Sequence, residues 1–143
     1  MAQGWEKLEP QFEPDGSLRD VLVLDIGIEE WQRAWDALKG WNPAPNLMID
    51  GIPAPCPDDV CGLLGRSEDL PLLVIDIEGC TVHCHFYDQC EIEFDLDPRE
   101  FVTDVQVGRF FEFLATLYRA IGKELVVTLD GCSDIVILNF PAR

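Results

Sequence analysis

The stretch that decides the fold is "LLVIDIEGCTVHCHFYDQCEIEFDL", residues 72–96. Apolar residues alternate with polar ones through most of it, which is the period-2 signature of a half-buried strand. Glu78-Gly79 is a two-residue turn signal, and it sets Ile77 opposite Cys80, Ile75 opposite Val82 and Leu73 opposite Cys84. A second turn falls at Tyr87-Asp88-Gln89. A three-residue loop there pairs Phe86 with Cys90, Cys84 with Ile92, Val82 with Phe94 and Cys80 with Leu96, so that every partner on one face is apolar. The segment therefore predicts a three-stranded antiparallel meander.

The pleat sorts the chemistry of this segment. Cys80, Cys84 and Cys90 fall on the apolar face with Val82, Phe86, Ile92, Phe94 and Leu96. Thr81, His83 and His85 fall on the other face, opposite Asp95, Glu93 and Glu91 respectively. Thiols and imidazoles then point to opposite sides, which rules out a mixed Cys/His zinc site within regular strands and leaves the cysteines as small buried hydrophobes.

Working outward, "QFEPDGSLRDVLVLDI" predicts a hairpin around Pro14-Asp15-Gly16 that leads into a central strand rich in Val and Leu. Trp31, Trp35, Leu38 and Trp41 recur at helical spacing after Glu29 and Glu30, and Gly40 is a stop signal. "NLMIDGI" predicts a short strand. The Pro-rich segment that follows predicts a loop with one short helix near Asp58 to Leu64. From Asp104 to Ile121, Val107, Phe110, Phe111, Leu114, Leu117, Tyr118 and Ile121 form a wide apolar stripe closed by Gly122. "LVVTL" and "IVILNF" predict two strands joined by a loop at Asp130 to Asp134. These elements add up to one α+β domain over residues 1–143. Its sheet is mainly antiparallel (N-terminal hairpin, central meander, C-terminal strand pair), and two main helices pack on one face. The late helix, with Phe110, Phe111, Leu114 and Leu117, is the expected cover for the meander's apolar side.

The charge balance narrows the function. The chain carries 27 acidic residues against 10 basic ones, a formal net charge of −17, with the acids spread along its whole length. Such a field repels nucleic acid and anionic membrane and attracts basic surfaces. No apolar run follows the start, and no stretch approaches the ~20 apolar residues of a membrane span. The expectation is a cytoplasmic chain with reduced thiols.

Catalytic signatures are sparse. None of the three serines, Ser17, Ser67 and Ser133, sits in a nucleophile elbow, and there is no phosphate-binding glycine loop. Cys56 and Cys61 are not at a standard redox or zinc spacing. His83, His85, Glu91 and Glu93 offer a divalent-metal set in the manner of a cupin. Gly79 lies too close to His83 for that motif, five residues separate His85 from Glu91, and there is no third histidine. The stronger reading is non-enzymatic, with no cofactor or metal. His83, His85, Asp88, Glu91, Glu93 and Asp95, together with Asp58 and Asp59 on the loop, are the expected contacts to a basic protein partner.

"EPDGSLRDVLVLDIGIEEWQRAWDAL" and "FFEFLATLYRAIGKELVVTLDG" resemble, in outline, the immunity proteins of bacterial polymorphic-toxin and contact-dependent inhibition systems. The resemblance implies tight binding of one cognate toxin, often a basic nuclease, by occlusion of its active site. It carries over no binding residues. An acidic mimic of nucleic acid that regulates a DNA-binding protein is the further alternative to the metal-dependent reading.

Overall fold

A computed structural model describes residues 18–129 and 132–141. Its strands are β1 (Arg19–Val23), β2 (Asn46–Ile49), β3 (Ile52–Ala54), β4 (Pro71–Ile77), β5 (Cys80–Asp88), β6 (Glu91–Leu96), β7 (Leu125–Leu129) and β8 (Cys132–Phe140). Its helices are α1 (Ile28–Lys39) and α2 (Asp104–Ile121), with short 3-10 turns at Val60–Leu63 and Pro98–Glu100. The strands form one antiparallel sheet in the order β3-β2-β4-β5-β6-β1-β7-β8. This is the α+β architecture expected, with a mainly antiparallel sheet and two main helices.

β1 lies between β6 and β7, and all five of its residues are buried. Both of its hydrogen-bonding edges are thus taken, as its unbroken apolar run implied for a central strand. The expected turn at Pro14 to Gly16 lies outside the described residues. In the C-terminal pair, β8 already begins at Cys132, so the expected loop does not extend to Asp134.

Both helices cover the same side of the sheet, and the core between them is aromatic. Trp31 stacks on Phe86 with ring centroids 5.4 Å apart, and Trp35 meets the same ring edge-on at 5.7 Å. Phe113 meets Phe94 at 5.5 Å and Trp41 at 5.3 Å, both edge-on. Such pairs contribute about 0.5–1.5 kcal/mol each beyond area burial. The buried stripe of α2 is Val107, Phe110, Phe113, Leu114, Leu117 and Ile121. Phe113 replaces the expected Phe111, which is only half-buried, and Tyr118 is exposed.

The buried indoles satisfy their N–H groups on backbone carbonyls. Trp31 Nε1 donates to the carbonyls of Asp88 (2.8 Å) and Glu91 (3.2 Å), Trp35 Nε1 to Pro57 (2.8 Å) and Trp41 Nε1 to Asp76 (3.0 Å). Each tryptophan thereby ties α1 or its C-terminal extension to a loop or a strand. α2 opens on Thr103, whose Oγ1 accepts from Gln106 N, while Gln106 Oε1 accepts in return from Thr103 N. It ends on Gly122 at φ +78°, a left-handed cap.

Candidate functional site

The Glu78-Gly79 turn forms as expected, with φ of 52° and 85°, both positive as two-residue hairpins of this kind require. The β4–β5 register matches the expectation: Ile77 pairs with Cys80, Ile75 with Val82 and Leu73 with Cys84. The second turn differs. β5 continues through Asp88, and the turn is Gln89-Cys90. Val82 pairs with Leu96, His83 with Asp95, Cys84 with Phe94, His85 with Glu93, and, past an irregularity, Asp88 with Glu91. Phe86 and Tyr87 together oppose Ile92, which makes a β-bulge.

From Val82 to His85 the shift moves each cross-strand partner by two residues, so these residues keep their expected faces. Cys80 and Cys84 are buried with the core, as the pleat predicts. Cys90 sits in the turn and is exposed, contrary to the expectation that it joins the apolar face. Cys56 and Cys61 are free thiols, and the short helix near Asp58 to Leu64 is a 3-10 turn over Val60–Leu63.

On the face away from the helices, one carboxylate organises the histidines. Asp95 Oδ1 lies 3.1 Å from His83 Nδ1, and Asp95 Oδ2 lies 2.5 Å from His85 Nε2. The side chain of His83 is 38% exposed, those of His85 and Asp95 17% and 19%. Tyr87 covers His85, with the rings nearly parallel at 5.0 Å. On β1, Asp20 is the cross-strand neighbour of Asp95, and Leu22 that of Glu93.

Burial opposes charge on the His85 imidazole. The Asp95 hydrogen bond, with the negative charges of Asp95, Glu93 and Asp20, outweighs that and raises its pKa. Burial also works against the Asp95 carboxylate, yet the hydrogen bonds from His85 and His83 hold its pKa below the ordinary value. Glu93 goes the other way: burial first, then the charge of Asp20, push it up against the lowering effect of His85.

The expected set of His83, His85, Glu91 and Glu93 is thus not assembled as one cluster. Both imidazoles turn to Asp95, Glu93 flanks His85, and Glu91 is paired with Asp88 beside the turn. Among the described residues, no group of three or more His, Cys, Asp or Glu side chains is arranged to hold a metal ion. The face is also unevenly open. Toward β1 and β7, Asp20, Leu22 and Thr128 are buried; toward the Gln89-Cys90 turn, Tyr87 and Asp88 are exposed.

Asp58 and Asp59 lie elsewhere. The Asp58 carbonyl accepts from Gln32 Nε2 at 2.8 Å and from Lys39 Nζ at 3.3 Å, both on α1, and Asp59 Oδ1 caps the 3-10 turn through Cys61 N. The two aspartates are exposed on the helix-covered side of the sheet, opposite to the histidines. One flat surface does not hold both sets. At the other end of the sheet, a cleft of about 540 Å³ is lined by Asp76, Glu78 and Glu112 around Arg109. Arg109 sits 3.9 Å from the Trp41 ring centroid, bonded to Glu112 and to the Asn42 carbonyl.

Sequence reasoning missed Tyr87 and Asp20 as members of the face. The signal for Tyr87 was its i+2 spacing from His85, which the expected turn interrupted. No protein-family model, curated protein or solved structure matches this chain. Among the described residues, no helix is long and apolar enough to cross a membrane.

Proposed function

We propose that this chain is a non-enzymatic immunity protein that binds and neutralises a cognate basic toxin in the cytoplasm, by electrostatic and steric occlusion of the toxin's active site. The observation that carries this reading is the net charge of −17 on a chain built around one antiparallel sheet. Its open face presents Asp88, Glu91 and Glu93 at one end, and Asp58 and Asp59 face out from the other side. A field of one sign around the whole body speeds encounter with a partner of the other sign, and a preformed sheet loses little entropy on docking.

The test begins with the gene directly upstream of this one. Expressed alone it is expected to arrest growth, and co-expressed with this chain it is expected to be tolerated and to co-purify as a complex. Glu91→Lys with Glu93→Lys should slow association and flatten its salt dependence. An upstream product that is harmless, or a complex whose association rate ignores both reversals and salt, overturns the reading. Assembly with a DNA-binding protein that DNA competes away would favour mimicry of nucleic acid instead.

A further inference from the structure

Leu24, Leu70 and Tyr87 are large, apolar for most of their surface, and exposed, Leu70 and Tyr87 each to 53%. They gather at one end of the sheet. Leu72 pairs with His85, so Leu70 and Tyr87 extend that pair by two residues each in the same direction. Leu24 follows Val23, which pairs with Ile92, the residue that Tyr87 and Phe86 oppose. Leu72, half-buried on the same face, continues the apolar strip from Leu70 toward the histidines.

Strand alternation from His85 places Tyr87 on this surface, because β5 continues through Asp88. One ring face stacks on His85, whose own position is held by Asp95, so the tyrosine is braced from behind. Carboxylates rim it: Asp88 next in the chain, Glu91 opposite Asp88, and Glu93 opposite His85. The cation Arg66, whose chain neighbour Gly65 donates its N–H to the Phe86 carbonyl, is already paired with Asp69. The tyrosine hydroxyl is pushed to a higher pKa, first by burial and then by the charges of Glu93, Asp95 and Asp20, so its surroundings are negative. A braced aromatic ring with an apolar flank and an anionic rim matches one side chain best. Arginine stacks its guanidinium on a ring, lays its stem on apolar surface and meets carboxylates with its N–H fork.

We infer that the Tyr87 end of the sheet is the docking surface for the basic partner, with the Tyr87 ring and Leu70–Leu72 receiving an arginine side chain and Asp88, Glu91 and Glu93 neutralising it. This rests on the proposed basic-partner function and adds the place and the preferred residue. Interface energies concentrate at buried aromatic and arginine anchors. The surface therefore discriminates arginine from lysine, which a diffuse negative field does not.

The experiment uses the full chain with capped hexa-arginine and hexa-lysine peptides at low ionic strength. Affinities are measured by calorimetry, and the contact is mapped by amide chemical shifts. Hexa-arginine is expected to bind roughly 2–5-fold more tightly than hexa-lysine, with shifts centred on Leu70 to Leu72 and His85 to Glu91. Tyr87→Leu should abolish that preference, and Tyr87→Phe should retain it. Shifts centred instead on Asp58 and Asp59 or on the Asp76–Glu78 cleft overturn this site but leave a basic partner standing. An arginine preference that survives Tyr87→Leu overturns it equally. No binding of either peptide by the wild-type chain overturns the site and the basic-partner reading together.

Discussion

Asp95 Oδ2 and His85 Nε2 are 2.5 Å apart, and this contact joins a carboxylate of lowered pKa to an imidazole of raised pKa. The two shifts act on stability over different pH ranges. The contribution of Asp95 is present above its unfolded value of 3.8 and is lost as pH falls through its lower folded value. The contribution of His85 is present below its unfolded value of 6.5 and is lost as pH rises through its higher folded value. The bridge is at full strength between those two unfolded values. Asp95→Asn should therefore cost most in that window, on the order of 1–3 kcal/mol for a charge-assisted hydrogen bond. The penalty should shrink in strong acid and at alkaline pH. Urea denaturation of both proteins across pH checks it, and a penalty independent of pH would contradict the bridge.

Glu93 carries the opposite sign. Its folded pKa is raised, so the stability linked to its proton is present below its unfolded value of 4.5 and lost as pH rises through the folded value. Glutamine mimics the protonated form. Glu93→Gln should leave the melting temperature unchanged well below pH 4.5 and raise it at pH 7, where burial and Asp20 disfavour the carboxylate. Thermal melts at the two pH values are sufficient. A loss of stability at pH 7 would mean that the His85 contact outweighs both.

The faces of the meander were legible because alternation alone assigns them, and α2 was legible because its stripe and the Gly122 stop agree. The β4–β5 register followed from a two-residue turn whose second residue is glycine. The β5–β6 register did not follow, for a physical reason. A shift of two residues keeps every apolar side chain on the apolar face, so patterning cannot separate the expected pairs from the observed ones. What separates them is tertiary. Phe86 must lie beneath Trp31 and Trp35, and Trp31 Nε1 must reach the carbonyls of Asp88 and Glu91, which the bulge brings within range. The same shift moved Asp95 from Thr81 to His83 and drew His85 to it. The candidate site was thus readable in its residue types and not in its pairings. The place of β1 between β6 and β7 joins strands far apart in the chain, and nothing local encodes it.

That dependence on Trp31 is itself testable. Trp31→Phe keeps an aromatic ring near Phe86 and removes the indole N–H, leaving the Asp88 and Glu91 carbonyls without that donor. The expected cost is about 2 kcal/mol, from a lost buried hydrogen-bond donor and a smaller ring in a packed core. The loss should be local as well as global: amide exchange at Cys90 and Glu91 should accelerate more than at Val82 or Ile75. Uniform acceleration across the sheet would show that the indole contributes bulk alone and does not hold the turn.

The cysteines test the division of faces directly. Cys61 and Cys90 are exposed, whereas Cys80 and Cys84 are buried in the core. Burial, with the nearby charges of Glu100, Asp76 and Glu78, pushes the Cys80 thiol up to about 11, and burial holds Cys84 well above its ordinary value. A thiol that is both enclosed and protonated reacts slowly with an alkylating agent. Brief treatment of the native chain with iodoacetamide at neutral pH, followed by peptide mass mapping, should label Cys61 and Cys90 first. Cys80 and Cys84 should be labelled only after denaturation. The expected β5–β6 pairs, with Cys90 on the apolar face, would have protected Cys90 along with the other two. Its rapid alkylation therefore discriminates the bulged register from the one that alternation alone suggests, and protection of Cys90 would restore the latter.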